Sequence, residues 1–435
     1  MFFLILPNQL YDIGYLKNVG NRMIIWECPH YFTAYSYNKK KLILHRASMR
    51  AYNDMLLKKG YNVVYVEFGT KLDDNAEYLL YNPLDNPSIL GLPKKHKIID
   101  ILIPNMLLND AIFKEYREHT KNFFFNAFYM WSKKRIGIIP DIKSQDKNNR
   151  LRINNSVSIK QPYDDVAVSK PSIEYIQEAS RYVLKHFKDN PGNVDRFIFP
   201  ITRVDSLKWL KHFIKNKLKN FGPYQDFIDK HNNHLYHSLL SSLLNIGLIG
   251  PYDVIKMLPK SGIPINSYEG FIRQLFWREY QYYCYLYFDF SGNYFGNTKR
   301  LGKEWYTAKV GIEPVDDAIL EAFDSGYLHH IKRLMVIGNY MNLCDIRPKE
   351  GFRWFMEFSC DSYEWVMHQN VYEMVFCVSG GGTMRRPYVS SSNYILHMSN
   401  YKRDKWCIEW DNKYHAFIEK NKKKLWKFRY YFRGV

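Results

Sequence analysis

The sequence predicts an α/β N-terminal domain with a parallel, Rossmann-like sheet, followed by an all-α C-terminal domain. Three observations carry that prediction. Short apolar runs alternate with helical patterns over residues 1–130; a polar, Asn-rich stretch follows between Lys143 and Lys170; beyond it helical periodicity continues and strand patterns nearly vanish. The expected division is 1–130 for the α/β domain, 131–190 for an interdomain linker and 191–435 for the helical domain.

The strands come first. "FFLIL", "MIIWE", "NVVYVEF" and "IIDILIP" are short, apolar and rich in β-branched or aromatic residues. Between the second and third, "KKKLILHRASMRAYNDMLLKKGY" has the period of a helix that stops at Gly60, so strand and helix alternate as in a parallel sheet. No GxGxxG follows the first strand; "PNQL" stands there, which excludes the dinucleotide fingerprint. The opening "MFFLILP" has six residues before Pro7 and no basic flank, too short for a signal core, and is expected to be a buried strand. After the linker, helices are expected over 172–189, 203–220, 234–247, 252–258, 268–290, 316–340, 348–367 and 390–402.

At 435 residues, with 46% apolar and 17% aromatic side chains, the chain has ample material for large cores. A formal net charge of +19 favours an anionic partner, nucleic acid before an acidic membrane, although abundant Lys, Asn, Tyr, Phe and Ile also match an A+T-rich genome. The six cysteines (Cys28, Cys284, Cys344, Cys360, Cys377, Cys407) are scattered without a CxxC, so no disulfide framework or zinc site is legible. No run reaches membrane-spanning length; "LYHSLLSSLLNIGLIG" is broken by serines and Asn245. The expectation is a soluble intracellular monomer, in cytoplasm or nucleus, or in a virion if the source is viral.

Five stretches of the helical half carry chemistry. In "HNNHLYHSLLSSLLNIG", His237, Ser238, Ser241 and Ser242 are expected to open a helix, where hydroxyls and free N–H groups suit a phosphate or simply cap the helix. "EGFIRQLFWREYQYYCYLYF" sets Arg273, Gln274, Trp277, Arg278 and Glu279 at helical spacing among aromatics, either to sandwich a flat ring or to form a core helix. "YLHHIKRLMVIGNYMN" places His329, His330 and Arg333 in an apolar run. On one helix His330, Leu334, Ile337 and Met341 share a stripe, and His329, Arg333 and Val336 share another. Adjacent histidines point about 100° apart and cannot chelate one metal together. A buried Arg333 demands a carboxylate, and "GFRWFMEFSCDSYEWVMHQN" offers Asp361 and Glu364. Last, "SGGGTMRRPYVSSSNYILHMSNYKRDK" joins a glycine run to Arg385, Arg386 and Tyr388, as a flexible nucleic-acid contact or a solvated loop.

Taken in order, "KKKLILHRASMRAY", "FPITRVDSLKWL", "FGPYQDF", "LYHSLLSSLLNIGLI", "EGFIRQLFWREY", "YLHHIKRLMVIGN", "YEWV" and "PYVSSSNYILHMSNY" resemble the photolyase/cryptochrome superfamily, in the branch of bacterial (6-4) photolyases and iron–sulfur cryptochromes. The resemblance implies an antenna-type domain, a helical FAD-binding and DNA-binding domain, and light-driven electron transfer from reduced FAD to a cyclobutane or (6-4) pyrimidine dimer in UV-damaged DNA. The alternative it implies is a cryptochrome-like blue-light sensor without repair. It assigns His237, Ser238, Ser241, Gln274, Trp277, Arg278, Arg333 and Asp361 to the cofactor. His329 and His330 are assigned to the lesion pocket with a histidine as proton donor, and Trp354 to the electron route, with Trp305 or Tyr306 as a further step. Met374 falls at the lesion pocket, Tyr388 at a DNA-wedging loop, and Arg385, Arg386, Lys402 and Lys405 at DNA phosphates.

Departures from the family pattern carry their own expectations. Leu239 replaces a usual Arg near the cofactor phosphates, Phe355 a redox-active Tyr, and Met367 the acid or Asn opposite flavin N5. Three of the four cluster cysteines read Pro314, Lys402 and Lys405. Cys407 alone cannot hold a four-iron cluster, so no iron–sulfur cluster is expected and Trp406 and Trp410 are expected to pack in its place. The altered "PNQL…WECPHYF" segment leaves open a second antenna chromophore of lumazine or folate type.

Overall fold

The computed structural model describes residues 1–100, 102–153 and 169–432. Five parallel strands form one sheet in the order β3-β2-β1-β4-β5, with β1 Phe2–Ile5, β2 Arg22–Trp26, β3 Asn62–Val66, β4 Tyr78–Tyr81 and β5 His96–Ile99. Leu4 pairs with Ile24 and Phe3 with Leu79, so β1 is the central strand, and its Phe3, Leu4 and Ile5 are buried as a parallel sheet requires. Three strands match the expectation, the fourth, β5, overlaps the expected "IIDILIP" only at Ile98 and Ile99, and β4, "YLLY" inside "NAEYLLYNPLDNP", is an addition to it. Its four residues lie too close to the flanking Asn and Pro turn signals to stand out, and only pairing with β1 and β5 on either side makes it a strand.

Strand order reverses between β1 and β4, the place where doubly wound sheets bind ligands. Here Asn8 donates to Pro83 O at 2.9 Å and Gln9 to Tyr81 O at 2.7 Å, so side chains of "PNQL" close the gap a glycine-rich loop would leave open. The helix Lys39–Lys58 starts at Asn38, whose side chain accepts from Lys40 N, and ends before Gly60 at φ 85°. Its Arg46 is buried and bonds Glu27 at 2.8 Å, Glu67 at 2.9 Å and Glu178 at 2.7 Å, which ties the helix Lys170–His186 to the sheet. Most of the Asn-rich linker falls at 154–168, outside the described residues.

The helical half is centred on Ile265–Tyr287, against which Phe125–Arg135 and Leu218–Tyr224 pack. The stack of Phe125 on Trp277, with centroids 3.9 Å apart and planes 9° apart, joins the two halves of the chain. Several expected helices are broken. Only Ser241–Asn245 of 234–247 is helical, because Leu239 adopts a left-handed φ of 54°. The 316–340 helix stops at Ser325 because Gly326 turns left-handed at φ 68°. The chain then resumes as a π-helix over Lys332–Gly338. The 348–367 helix divides into Pro348–Phe358 and Glu364–Met367, with Asp361 in the intervening loop, and a second π-helix runs over His368–Val375. Of 390–402 only Ser392–His397 is helical, and the 21-residue helix Lys405–Leu425 lies beyond every expected one. No helix of the described residues is long and apolar enough to cross a membrane.

Candidate functional site

A cavity of about 510 Å³ opens in the helical half. The helix Ile265–Tyr287 presents Arg273, Gln274, Trp277, Arg278 and Gln281 to it, and the loop 237–240 with the short helix after it presents His237, Ser238 and Ser241. Both π-helices reach it, through Arg333, Leu334 and Met335 and through Asn370, Val371 and Met374. Such inserted turns rotate side chains off the α-helical stripe, and they recur at functional sites. The expected stripes hold only at their first step: Arg333 N bonds His329 O at 3.2 Å, and His330 and Leu334 both line the cavity, whereas Ile337 and Met341 beyond the π-turn do not.

Five arginines (Arg150, Arg273, Arg278, Arg333, Arg386) and three aspartates (Asp146, Asp226, Asp361) line the cavity. Asp146 pairs with Arg150 at 2.7 Å and Arg273 at 3.2 Å, and Asp226 lies 3.3 Å from Arg150. Burial pushes Asp226 up to about 6, against the pull of Arg150. Arg333 grips Asp361 with two bonds, 2.9 Å from Nη1 to Oδ1 and 3.2 Å from Nη2 to Oδ2. Burial alone would raise the Asp361 carboxyl, but Arg333, Ser241 and Ser359 outweigh it and hold it below the usual carboxylate range. The Ser241 hydroxyl is thereby committed, donating to Asp361 Oδ2 at 2.6 Å, and Ser238 lies outside any helix. A helix does start at Ser241, as expected of Ser241 and Ser242, but His237 and Ser238 precede it and the Ser241 hydroxyl is committed to Asp361.

Arg278 stands differently. Only 7% exposed, it donates from Nε to Asn245 Oδ1 at 3.1 Å and from Nη1 to Asn105 O at 2.8 Å, while Nη2 has no partner. It makes no ion pair among the described residues. Burial lowers it to about 10, partly offset by Glu279, so it stays charged at neutral pH. Arg278 lines the cavity, so its charge suits an anionic ligand group there, while the unpartnered Nη2 is itself enclosed by protein. Leu239, standing where a cation was expected, is buried on the same wall. Trp277, Phe221, Phe271, Met335, Met367 and Val371 supply apolar lining for a flat ring.

The two histidines part company. His330 is exposed to the cavity; the protein around it first and the Arg333 charge second push it down to about 4. His329 does not line the cavity. It is 2% exposed, stacked on His237 with centroids 4.6 Å apart and planes 12° apart, and neither ring nitrogen has a partner. Trp354 is fully buried behind Phe355, a cavity residue. Its Nε1 donates to Trp305 O at 2.8 Å, and its ring lies 5.3 Å from Phe355. Met367, Met374, Arg386 and Tyr388 line the cavity; Arg385, Lys402 and Lys405 are exposed and do not.

Asp146, Arg150, Asp226 and Asn245 escape sequence reasoning. The first two sit in the supposed linker, where no pattern distinguishes a cavity residue from a solvated one. Among the described residues no group of three or more His, Cys, Asp or Glu side chains converges as a metal-binding set. Cys407 is buried beside Trp406 and Trp410, whose rings meet edge to face at 6.1 Å.

Comparison with known proteins places these observations. Residues 3–85 match the family model described as deoxyribodipyrimidine photo-lyase-related protein. A (6-4) photolyase of Agrobacterium fabrum is 40% identical over 225 residues, spanning 49% of this chain and 44% of that protein. The match thus covers under half of that relative's length. The uncharacterized protein R855 of Acanthamoeba polyphaga mimivirus is 52% identical over 88 residues, 20% of this chain and 72% of its own length. Among solved structures, a bacterial class III photolyase from Agrobacterium tumefaciens superposes with a TM-score of 0.55 at 15% identity, over 99% of this chain and 89% of the other. An archaeal photolyase from Sulfolobus tokodaii with two FAD molecules gives 0.54 at 14% identity, over 98% and 89%. At such identities the structural matches establish the fold.

Proposed function

We propose that this chain, which belongs to the photolyase/cryptochrome superfamily, is a light-dependent photolyase that repairs pyrimidine dimers in UV-damaged DNA with FAD as cofactor. The observation that carries this reading is a large, aromatic-lined cavity whose wall holds Arg278, a buried cation with no ion pair among the described residues. The residues fit FAD. Arg278 would hold the anionic diphosphate, Trp277 and the apolar wall would take flat rings, and the Arg333–Asp361 pair would offer a fixed dipole at the same cavity. Bound FAD, reduced and photoexcited, supplies the electron that splits the dimer.

The chain's own part is to bind, orient and exclude water. His330, neutral in the cavity, offers a hydrogen bond to an extruded base without adding charge, and Arg386 and Tyr388 at the same cavity receive the strand. A basic chain offsets the few kcal/mol of unstacking and makes binding salt-dependent. No iron–sulfur cluster belongs to this reading, since Pro314, Lys402 and Lys405 offer no thiolate. The test is to purify the protein, record a flavin spectrum, and follow loss of cyclobutane and (6-4) dimers from irradiated DNA in light and dark. FAD bound without light-dependent loss of either dimer overturns repair and promotes the second reading, a photosensor. Met367 on the cavity wall favours that alternative, because a thioether has no proton to exchange with a flavin.

A further inference from the structure

The C-terminal segment after the helix Lys405–Leu425 is pinned on one face and open on the other. Leu425, Phe428 and Phe432 are buried, spaced three and four residues apart, while Trp426 is 58%, Tyr430 84% and Tyr431 48% exposed. The segment is not a fraying end. Lys427 donates to Gly380 O at 2.7 Å, and Tyr294 OH donates to Lys424 O at 2.9 Å. Phe428 seats against Gly381, where φ is 102° and an added Cβ would meet the Phe428 ring at 3.2 Å. The glycine run, expected as a flexible contact loop, is in fact the seat of this tail.

Large aromatics held outward on a pinned segment need another reason than core packing. Cations interleave them: Arg429 lies over Trp426 at 5.1 Å and over Tyr430 at 4.7 Å. Arg386 bridges Tyr431 at 5.3 Å and Tyr388 at 5.7 Å, and both Arg386 and Tyr388 line the cavity. The ribbon therefore runs from the tail to the cavity, flanked by the exposed Lys422, Lys423 and Lys424.

We propose that this aromatic–basic ribbon is a binding track for an unpaired DNA strand, with Tyr430 and Tyr431 as stacking platforms for bases and the adjoining lysines on phosphates. Alternating π-faces and cations fit that partner: each base offers a face to stack, and its backbone offers the charge. That the strand is DNA leading to the cavity rests on the proposed repair function; the binding itself does not. The experiment measures dark binding of undamaged oligothymidylate, and of a blunt duplex, to the flavin-loaded protein by fluorescence anisotropy across salt concentrations. Thermal melting and flavin content confirm folding of each variant. Tyr430→Ser with Tyr431→Ser should weaken oligothymidylate binding about tenfold or more and duplex binding less. A Lys422→Gln, Lys423→Gln, Lys424→Gln variant should flatten the salt slope by about 0.7 for each phosphate no longer neutralised. Unchanged oligothymidylate affinity in the tyrosine variant, or equal weakening for single strand and duplex, overturns the track. Because the readout needs neither light nor a lesion, failure of repair leaves this test standing.

Discussion

Arg333 and Asp361, 28 positions apart in sequence, meet in a two-pronged ion pair on the cavity wall, with bonds of 2.9 and 3.2 Å. Neither is independent of the other: Arg333 also donates from Nε to Leu328 O at 2.6 Å, and Asp361 takes bonds from Ser241 and Ser359. Replacing Asp361 by Asn strands a partly buried cation and should cost about 3–5 kcal/mol in denaturant unfolding. Arg333→Met combined with Asp361→Leu should recover much of that loss. A double variant no more stable than Asp361→Asn shows that the charge was not what mattered.

Arg278 is the expected anchor of the cofactor anion. Arg278→Met keeps most of the apolar packing and removes the charge at the cavity wall. Flavin affinity, read by fluorescence of released cofactor, should fall by a factor of about ten to a hundred, on the order of 1.5–3 kcal/mol for a charged hydrogen bond. Retention of full flavin content by this variant places the anion elsewhere.

The two adjacent histidines should separate in function. His330→Ala should abolish light-dependent repair while flavin content and melting temperature hold, since the ring faces the cavity. His329→Phe should keep the stack on His237 and remove two ring nitrogens that lack partners, so stability stays equal or rises and repair persists. Loss of repair in His329→Phe with stability intact returns that residue to the site.

Lys41 gives a pH dependence of definite sign. Fully buried between the Tyr37 and Tyr363 rings, at 4.3 and 4.6 Å, it is lowered by burial from 10.5 to about 7. The unfolded chain holds this proton more tightly than the folded one. Its penalty is therefore full below about pH 7 and vanishes as pH rises to about 10.5, so this site makes stability increase with pH across that window. Asp361 acts at the other end: its depressed carboxyl adds stability above the unfolded value, lost as pH falls below about 4. Lys41→Met should raise the melting temperature at about pH 6 by a few degrees and flatten the slope between about pH 7 and 10. A slope unchanged by the substitution assigns it to other groups.

Iron analysis tests the cluster expectation directly. Protein purified without oxygen should contain none, and Cys407→Ala should leave flavin content unchanged; about four irons per chain would show that the motif correspondence is wrong.

Much of the fold was legible because it is written in local periodicity. β1, β2 and β3 are continuous apolar runs, and the helix Lys39–Lys58 carries its own cap and stop. The strand Tyr78–Tyr81 was not, because four residues exert little local preference and the pairing that stabilises them comes from strands distant in sequence. The long helix Lys405–Leu425 is hidden in a stretch crowded with lysines and aromatics, where its buried Trp406, Trp410 and Phe417 are hard to tell from exposed neighbours.

For the site, residue order alone was enough for the pair of long apolar-aromatic motifs, the demand of Arg333 for a carboxylate, and Asp361 as a source of one. A buried charge requires its counter-charge whatever the backbone does. Folding in three dimensions settled which neighbours in "YLHH" face the cavity, that Ser241 is spent on Asp361, that Asp146 and Arg150 return to the wall from a supposed linker, and that Tyr430 and Tyr431 stand outward beside Arg386. The reason is geometric. A left-handed residue at Leu239 or Gly326 and an extra residue in a π-turn each redirect a side chain, and no residue composition records those turns.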